Sequence, residues 1–172
     1  MVKLKTLCGV AVLVTAAALG NAQVQSPPGT AEVTLNGKQI TIKYSRPSMR
    51  GRKIMGDLVP YGKVWRTGAN DATALSTQID LNIGGANVPA GNYTIYTLPS
   101  ANSWKLIINK QTGQWGTEYN QDQDLARVDM QKSQLSSPVE QFTISFNKKS
   151  ANSADLVLEW ETTRLSVPVR AK

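Results

Sequence analysis

Hydrophobic residues in this chain recur at every second position, and that period governs what the chain can become. Leu75, Thr77, Ile79, Leu81 and Ile83 fall on one side of an extended segment, with Ser76, Gln78, Asp80 and Asn82 on the other. The alternation runs on through Trp104, Leu106 and Ile108, then Ala126, Val128 and Met130, then Phe142, Ile144 and Phe146. It returns in Leu156, Leu158 and Trp160, and again in Leu165, Val167 and Val169. Side chains of a strand point alternately to opposite faces, so each run predicts a strand with one buried and one wet side. After residue 22 no stretch keeps a 3.6-residue period over three turns, which argues against long helices.

Turn residues cut the alternation into pieces. Asn36-Gly37, between Ala31–Leu35 and Lys38–Tyr44, is the strongest short hairpin signal, because both positions of that turn need positive φ. Gly84-Gly85 ends the run from Leu75, and Pro89-Ala90-Gly91-Asn92 leads into Tyr93–Leu98. Pro99 to Asn102 closes that strand, while Asn147–Asn152 and Glu161–Thr163 separate the last three. The expectation is an all-β, single-domain antiparallel β-sandwich, jelly-roll-like, of about nine strands; a flattened barrel is the alternative. The domain is expected over residues 31–172, behind an extended tether at residues 23–30.

Residues 1–22 read as a signal peptide. Lys3 and Lys5 precede an apolar run from Leu7 to Leu19, and Gly20-Asn21-Ala22 has the small-x-small pattern of a cleavage site. The run is too short to span a bilayer, so the mature chain is expected to carry no transmembrane segment and to be periplasmic or extracellular. The single cysteine, Cys8, leaves with the leader, and the chain has no histidine. That excludes disulfides, cysteine nucleophiles, histidine-containing triads and thiolate or imidazole metal sites. No cofactor is expected.

Charge is concentrated in one place. Without Lys3 and Lys5 the chain has 17 basic and 12 acidic residues, a net +5. Between Lys43 and Arg66 stand seven basic residues against the single acid Asp57. Nucleic-acid binders show a basic stripe with aromatic platforms, which this is not, so no nucleic-acid partner is expected. The segment from Ser45 to Asp71 also breaks the strand rhythm, yet holds Ile54, Met55, Leu58, Val59, Tyr61, Val64 and Trp65, enough apolar surface to pack down. It predicts a long ordered Arg-rich loop, with a short helical turn near Lys53–Leu58. Loops of this length in compact domains are uncommon and tend to be functional or disordered.

These strings resemble a family. "YSRPSMRGRKIMGDLVPYGKVWRTGAND", "VPAGNYTIYTLP", "WKLIINKQTGQWGTEYNQDQDLARVDM", "VEQFTISF" and "LVLEWETTRLSVPV" are similar to exported bacterial proteins grouped as a domain of unknown function, number twenty-nine eleven. The likeness covers nearly the whole chain after the leader, with Met55 where the family string has phenylalanine. It implies an exported, mostly β single domain and carries no assigned activity.

The Arg-rich loop supplies the candidate site. Arg46, Arg50, Arg52 and Arg66 offer planar, permanently charged forks that match carboxylate or phosphate oxygens. Tyr61 and Trp65 are expected to form a flat apolar wall, and Asn70 adds a neutral donor and acceptor. The competing reading pairs each arginine with a nearby carboxylate such as Asp71, Glu118, Glu140 or Glu159. Trp115, between Gly113 and Gly116 in a second irregular segment from Lys110 to Asp124, is either a stacking platform or, the expected use, a buried plug. The oxygens of Asn120 to Asp124 alternate like a calcium loop, but Leu125 and Gln131 stand where that loop needs glycine and glutamate, so no metal is expected. Three readings follow: a module binding an anionic small molecule or glycan, an envelope structural or protein-interaction protein, and a carbohydrate-active enzyme working without histidine or cysteine.

Overall fold

The computed structural model describes residues 25–172; the expected signal peptide lies outside the described residues. At Asn36 and Gly37 φ is 48° and 74°, and the chain reverses there between β1 (Pro28–Leu35) and β2 (Lys38–Ser45). β1 starts earlier than the alternation predicts, because Pro28, Gly29 and Thr30 of the expected tether already pair with Ser45, Tyr44 and Lys43. The other strands are β3 (Ala74–Thr77), β4 (Leu81–Ile83), β5 (Ala86–Val88), β6 (Gly91–Leu98), β7 (Trp104–Asn109), β8 (Asp124–Lys148) and β9 (Ser153–Ala171). A single 3-10 turn, Gln121–Gln123, is the only helical element among the described residues, and no helix there is long and apolar enough to cross a membrane.

All nine strands pair antiparallel, in the spatial order β1-β2-β3-β6-β7-β8-β9-β4-β5. This open sheet folds over itself as a β-sandwich, and β8 makes the fold. Its first residues, to Met130, pair with β7, and the rest pairs with β9. Register shifts between Gln134 and Val139 and again before Thr143 mark irregularities in its ladder with β9, and such bulges bend a strand.

Two expected breaks fall differently. The run from Leu75 to Ile83 is two strands: the chain leaves β2 and β6 after β3 and joins β9 as β4. Thr77 holds that corner, its hydroxyl donating to the Ile79 carbonyl at 2.7 Å. The period survives the crossing, which is why sequence alone reads one strand. Conversely, β9 runs unbroken through Glu161–Thr163, where the only irregularity of φ is Glu161 at 54°. Phe142 and Met130 likewise belong to one continuous β8.

Trp104, Trp160, Tyr96 and Phe142 are the largest fully buried side chains. Trp65, from the Arg-rich loop, stacks on Trp160 with centroids 5.8 Å apart and meets Phe142 edge-on at 5.0 Å. The loop is thereby locked onto the core by aromatic contacts that add to simple area burial.

Candidate functional site

The Arg-rich loop is ordered because it completes the sandwich. The second half of β8 has a strand partner on one side only; the other side is taken by the start of the loop. Phe142 N–H donates to the Pro47 carbonyl and Met49 N–H to the Glu140 carbonyl, both at 2.8 Å. Upstream, Ile144 N–H donates to the Tyr44 hydroxyl at 2.8 Å. An open strand edge invites foreign pairing, and this loop covers it.

Further along, the helical turn expected near Lys53–Leu58 is absent. Asp57 and Val59 both donate to the Ile54 carbonyl, and a bridge between Met55 and Val59 closes a tight turn. That geometry drives Ile54 and Val59 fully into the core. Trp65 then exchanges backbone hydrogen bonds with Thr97 of β6 at 2.8 and 3.0 Å. Gly116 N–H donates to the Asn70 carbonyl and Ala72 N–H to the Gln114 carbonyl, so the two irregular segments pair with each other.

Between them opens a cavity of about 730 Å³. Arg46, Arg50, Arg52, Trp65, Arg66, Asn70 and Trp115 all line it, seven of the eight residues expected from sequence. Tyr61 does not. It lies in a smaller hollow of about 480 Å³ with Met55, Lys132 and Glu161, where its ring covers Gly56. Among the described residues, four arginines and no carboxylate line the larger cavity.

The arginines differ in how they are held. Arg46 donates to the Phe142 carbonyl at 3.3 Å and the Thr143 hydroxyl at 3.0 Å; Arg52 donates to the Met49 and Ser48 carbonyls at 3.0 and 2.8 Å. These partners are uncharged, so both guanidinium groups keep their full field. Glu140 accepts from the Arg50 backbone N–H at 2.9 Å, while Glu159 is taken by Arg164. Among the described residues, Arg66 has no hydrogen bond or ion pair. Its stem rests on Gly116, where an added Cβ would stand 2.6 Å from both Arg66 Cδ and the Asn70 carbonyl oxygen.

Trp115 is 48% exposed, so the expected buried plug is instead a rim residue. The close approach of Gly116 to the loop leaves room for no side chain beneath it, and the indole sits outside. Three non-glycine residues of the Arg-rich loop take left-handed backbone: Arg50, Thr67 and Asn70, with φ of 49°, 55° and 58°. For β-branched Thr67 that is a true outlier. Burial and a 2.8 Å hydrogen bond from the Thr73 hydroxyl to its carbonyl hold it there.

On the far wall, Tyr119 donates to Asp124 Oδ2 and accepts from Arg127, each at 2.7 Å, while Asn109 donates to Asp124 Oδ1 at 2.9 Å. Burial, reinforced by the Asp124 hydrogen bond, pushes the Tyr119 hydroxyl up to about 12. Asp124, the last residue of the segment that alternates like a calcium loop, is therefore the anchor of this loop.

Sequence reasoning missed Leu58, Tyr96, Trp160 and the Gln25–Pro27 segment, all of which border the cavity. Trp160 carries an ordinary strand-core pattern, and only the fold shows that loop residue Trp65 lies over it. No curated protein and no solved structure matches the chain significantly. A family model described as Protein of unknown function (DUF2911) matches residues 26–169, and the chain belongs to that family.

Proposed function

We propose that the protein is an exported module that binds an anionic small molecule or glycan in the cavity between its two irregular loops, without catalysis. The observation that carries this reading is a hollow that, among the described residues, is lined by four arginines and no carboxylate, and in which the Arg66 guanidinium has no partner among those residues. A permanent cation left partly buried and unpaired is costly unless something supplies the missing oxygens. Backbone strain at Arg50, Thr67 and Asn70 fits a preformed site.

The structural reading has one specific support. Arg46 braces the open edge of β8 through Phe142 and Thr143, whatever else it does. The enzymatic reading finds less. Glycoside hydrolysis needs two carboxylates flanking the bond, and the described residues of the cavity wall supply none. Tyr119, held protonated to about 12, is a poor base near neutral pH.

A thermal-shift screen of the protein against inorganic phosphate, sulfate, uronic acids and neutral sugars tests the proposal. A ligand at 100 times its Kd should add about 2.7 kcal/mol to stability. Anions are expected to stabilise and neutral sugars alone are not; stabilisation by no anion would overturn the reading.

A further inference from the structure

The cavity is not only cationic. Among the described residues, three large hydrophobic side chains are exposed, Leu58, Tyr61 and Trp115, and two of them, Leu58 and Trp115, border the arginine-lined hollow. Trp115 is not a frayed loop residue. Its neighbours Gln114 and Gly116 are tied by backbone hydrogen bonds to Ala72 and Asn70, and its own carbonyl accepts from Glu118 N–H at 2.9 Å. A rigidly mounted indole at 48% exposure leaves about half of its apolar surface uncovered. It is placed to meet something apolar and flat.

Neutral hydrogen-bonding groups fill the space between. Asn70, Ser26, Ser48 and Thr117 line the same wall, a set suited to hydroxyls rather than to a bare ion. The volume of about 730 Å³ sits well inside the range of about 300–1,000 Å³ typical of sites that bury a drug-sized molecule. A simple oxyanion needs neither this volume nor an indole at the rim.

From these features we infer that the occupant is an acidic glycan segment of at least two sugar units. One anionic sugar lies among the arginines with Arg66 on its acid group, and the adjoining ring lays its apolar C–H face on Trp115. This rests on the anion-binding reading above and goes past it by requiring an extended, ring-bearing ligand. Arg66 and Trp115 then have separable duties, charge for the first and chain length for the second.

Calorimetric titration with galacturonate and mannuronate, each as monomer and trimer, tests it, with inorganic phosphate and a neutral trisaccharide as controls. One of the trimers should bind at least about tenfold more tightly than its monomer. Trp115→Ala should weaken the trimer about threefold to tenfold, the scale of one aromatic contact, and so narrow its advantage over the monomer. Arg66→Ala should weaken both. Equal affinity of monomer and trimer, or a trimer indifferent to Trp115→Ala, overturns the extended-glycan inference and leaves anion binding standing. Binding of phosphate but of no uronate does the same. If no anion binds at all, both fall.

Discussion

Arg46 and Arg66 are twenty residues apart in one loop, carry the same charge, and border the same cavity. They differ in what their guanidinium groups already hold. Arg46 satisfies Phe142 and Thr143 on the edge of β8 that the loop covers, so Arg46→Ala should cost about 1–2 kcal/mol in a urea titration by leaving those acceptors short. Among the described residues Arg66 satisfies no partner, so Arg66→Ala should lower stability by no more than about 0.5 kcal/mol while removing anion-induced stabilisation. A large loss of stability from Arg66→Ala would instead show it to be a brace. Gly116 offers a subtler probe, since a methyl group there meets both Arg66 Cδ and the Asn70 carbonyl at 2.6 Å. Gly116→Ala should destabilise by about 1–3 kcal/mol through overpacking. It should also weaken anion binding by displacing Arg66, although Gly116 itself offers a ligand no side chain.

At the scale of elements, the loop and β8 depend on each other. Tyr44 reaches from β2 to Ile144, accepting from its N–H at 2.8 Å and donating to its carbonyl at 3.3 Å. Tyr44→Phe strands a buried N–H and should cost about 1–3 kcal/mol, read from the chemical denaturation midpoint. Strand positions were legible because burial alternates along them, and the hairpin at Asn36-Gly37 because only a few residues accept its φ. Strand continuity was not legible. Glu161 looks like punctuation yet is one left-handed residue inside β9, and Gln78–Asp80 keeps the period while the chain changes partners. The arginines announced themselves by composition, whereas Trp160 and Tyr96 reach the cavity through long-range packing that no local pattern encodes. Tyr61 shows the converse error. It shares the loop and the chemistry of the site, but the tight turn at Ile54–Val59 carries it to the other side.

For the molecule as a whole, the ionisable groups sort into two pH regimes. The chain has no histidine, the side chain whose ordinary charge change lies near neutral pH. Burial raises Tyr93, Tyr96 and Tyr119, the last to about 12. A tyrosine that ionises later when folded than when unfolded gives stability that is complete below about pH 10 and is lost as pH rises through its folded value. Unfolding free energy should therefore fall from about pH 10 upward, and Tyr119→Phe, normalised to its own value at pH 8, should fall less steeply. Below that range the cavity wall offers permanently charged arginines and tyrosines held neutral, so the ligand's own ionisation must set the pH dependence of binding. A uronate, whose carboxyl is ionised well below neutrality, should bind with constant affinity from about pH 6 to 9. A phosphate monoester should instead bind more tightly as pH rises through its second ionisation near about 6. A uronate whose affinity changed several-fold across that interval would be answering to a protein group that titrates there, and among the described residues the wall of this cavity contains none to answer.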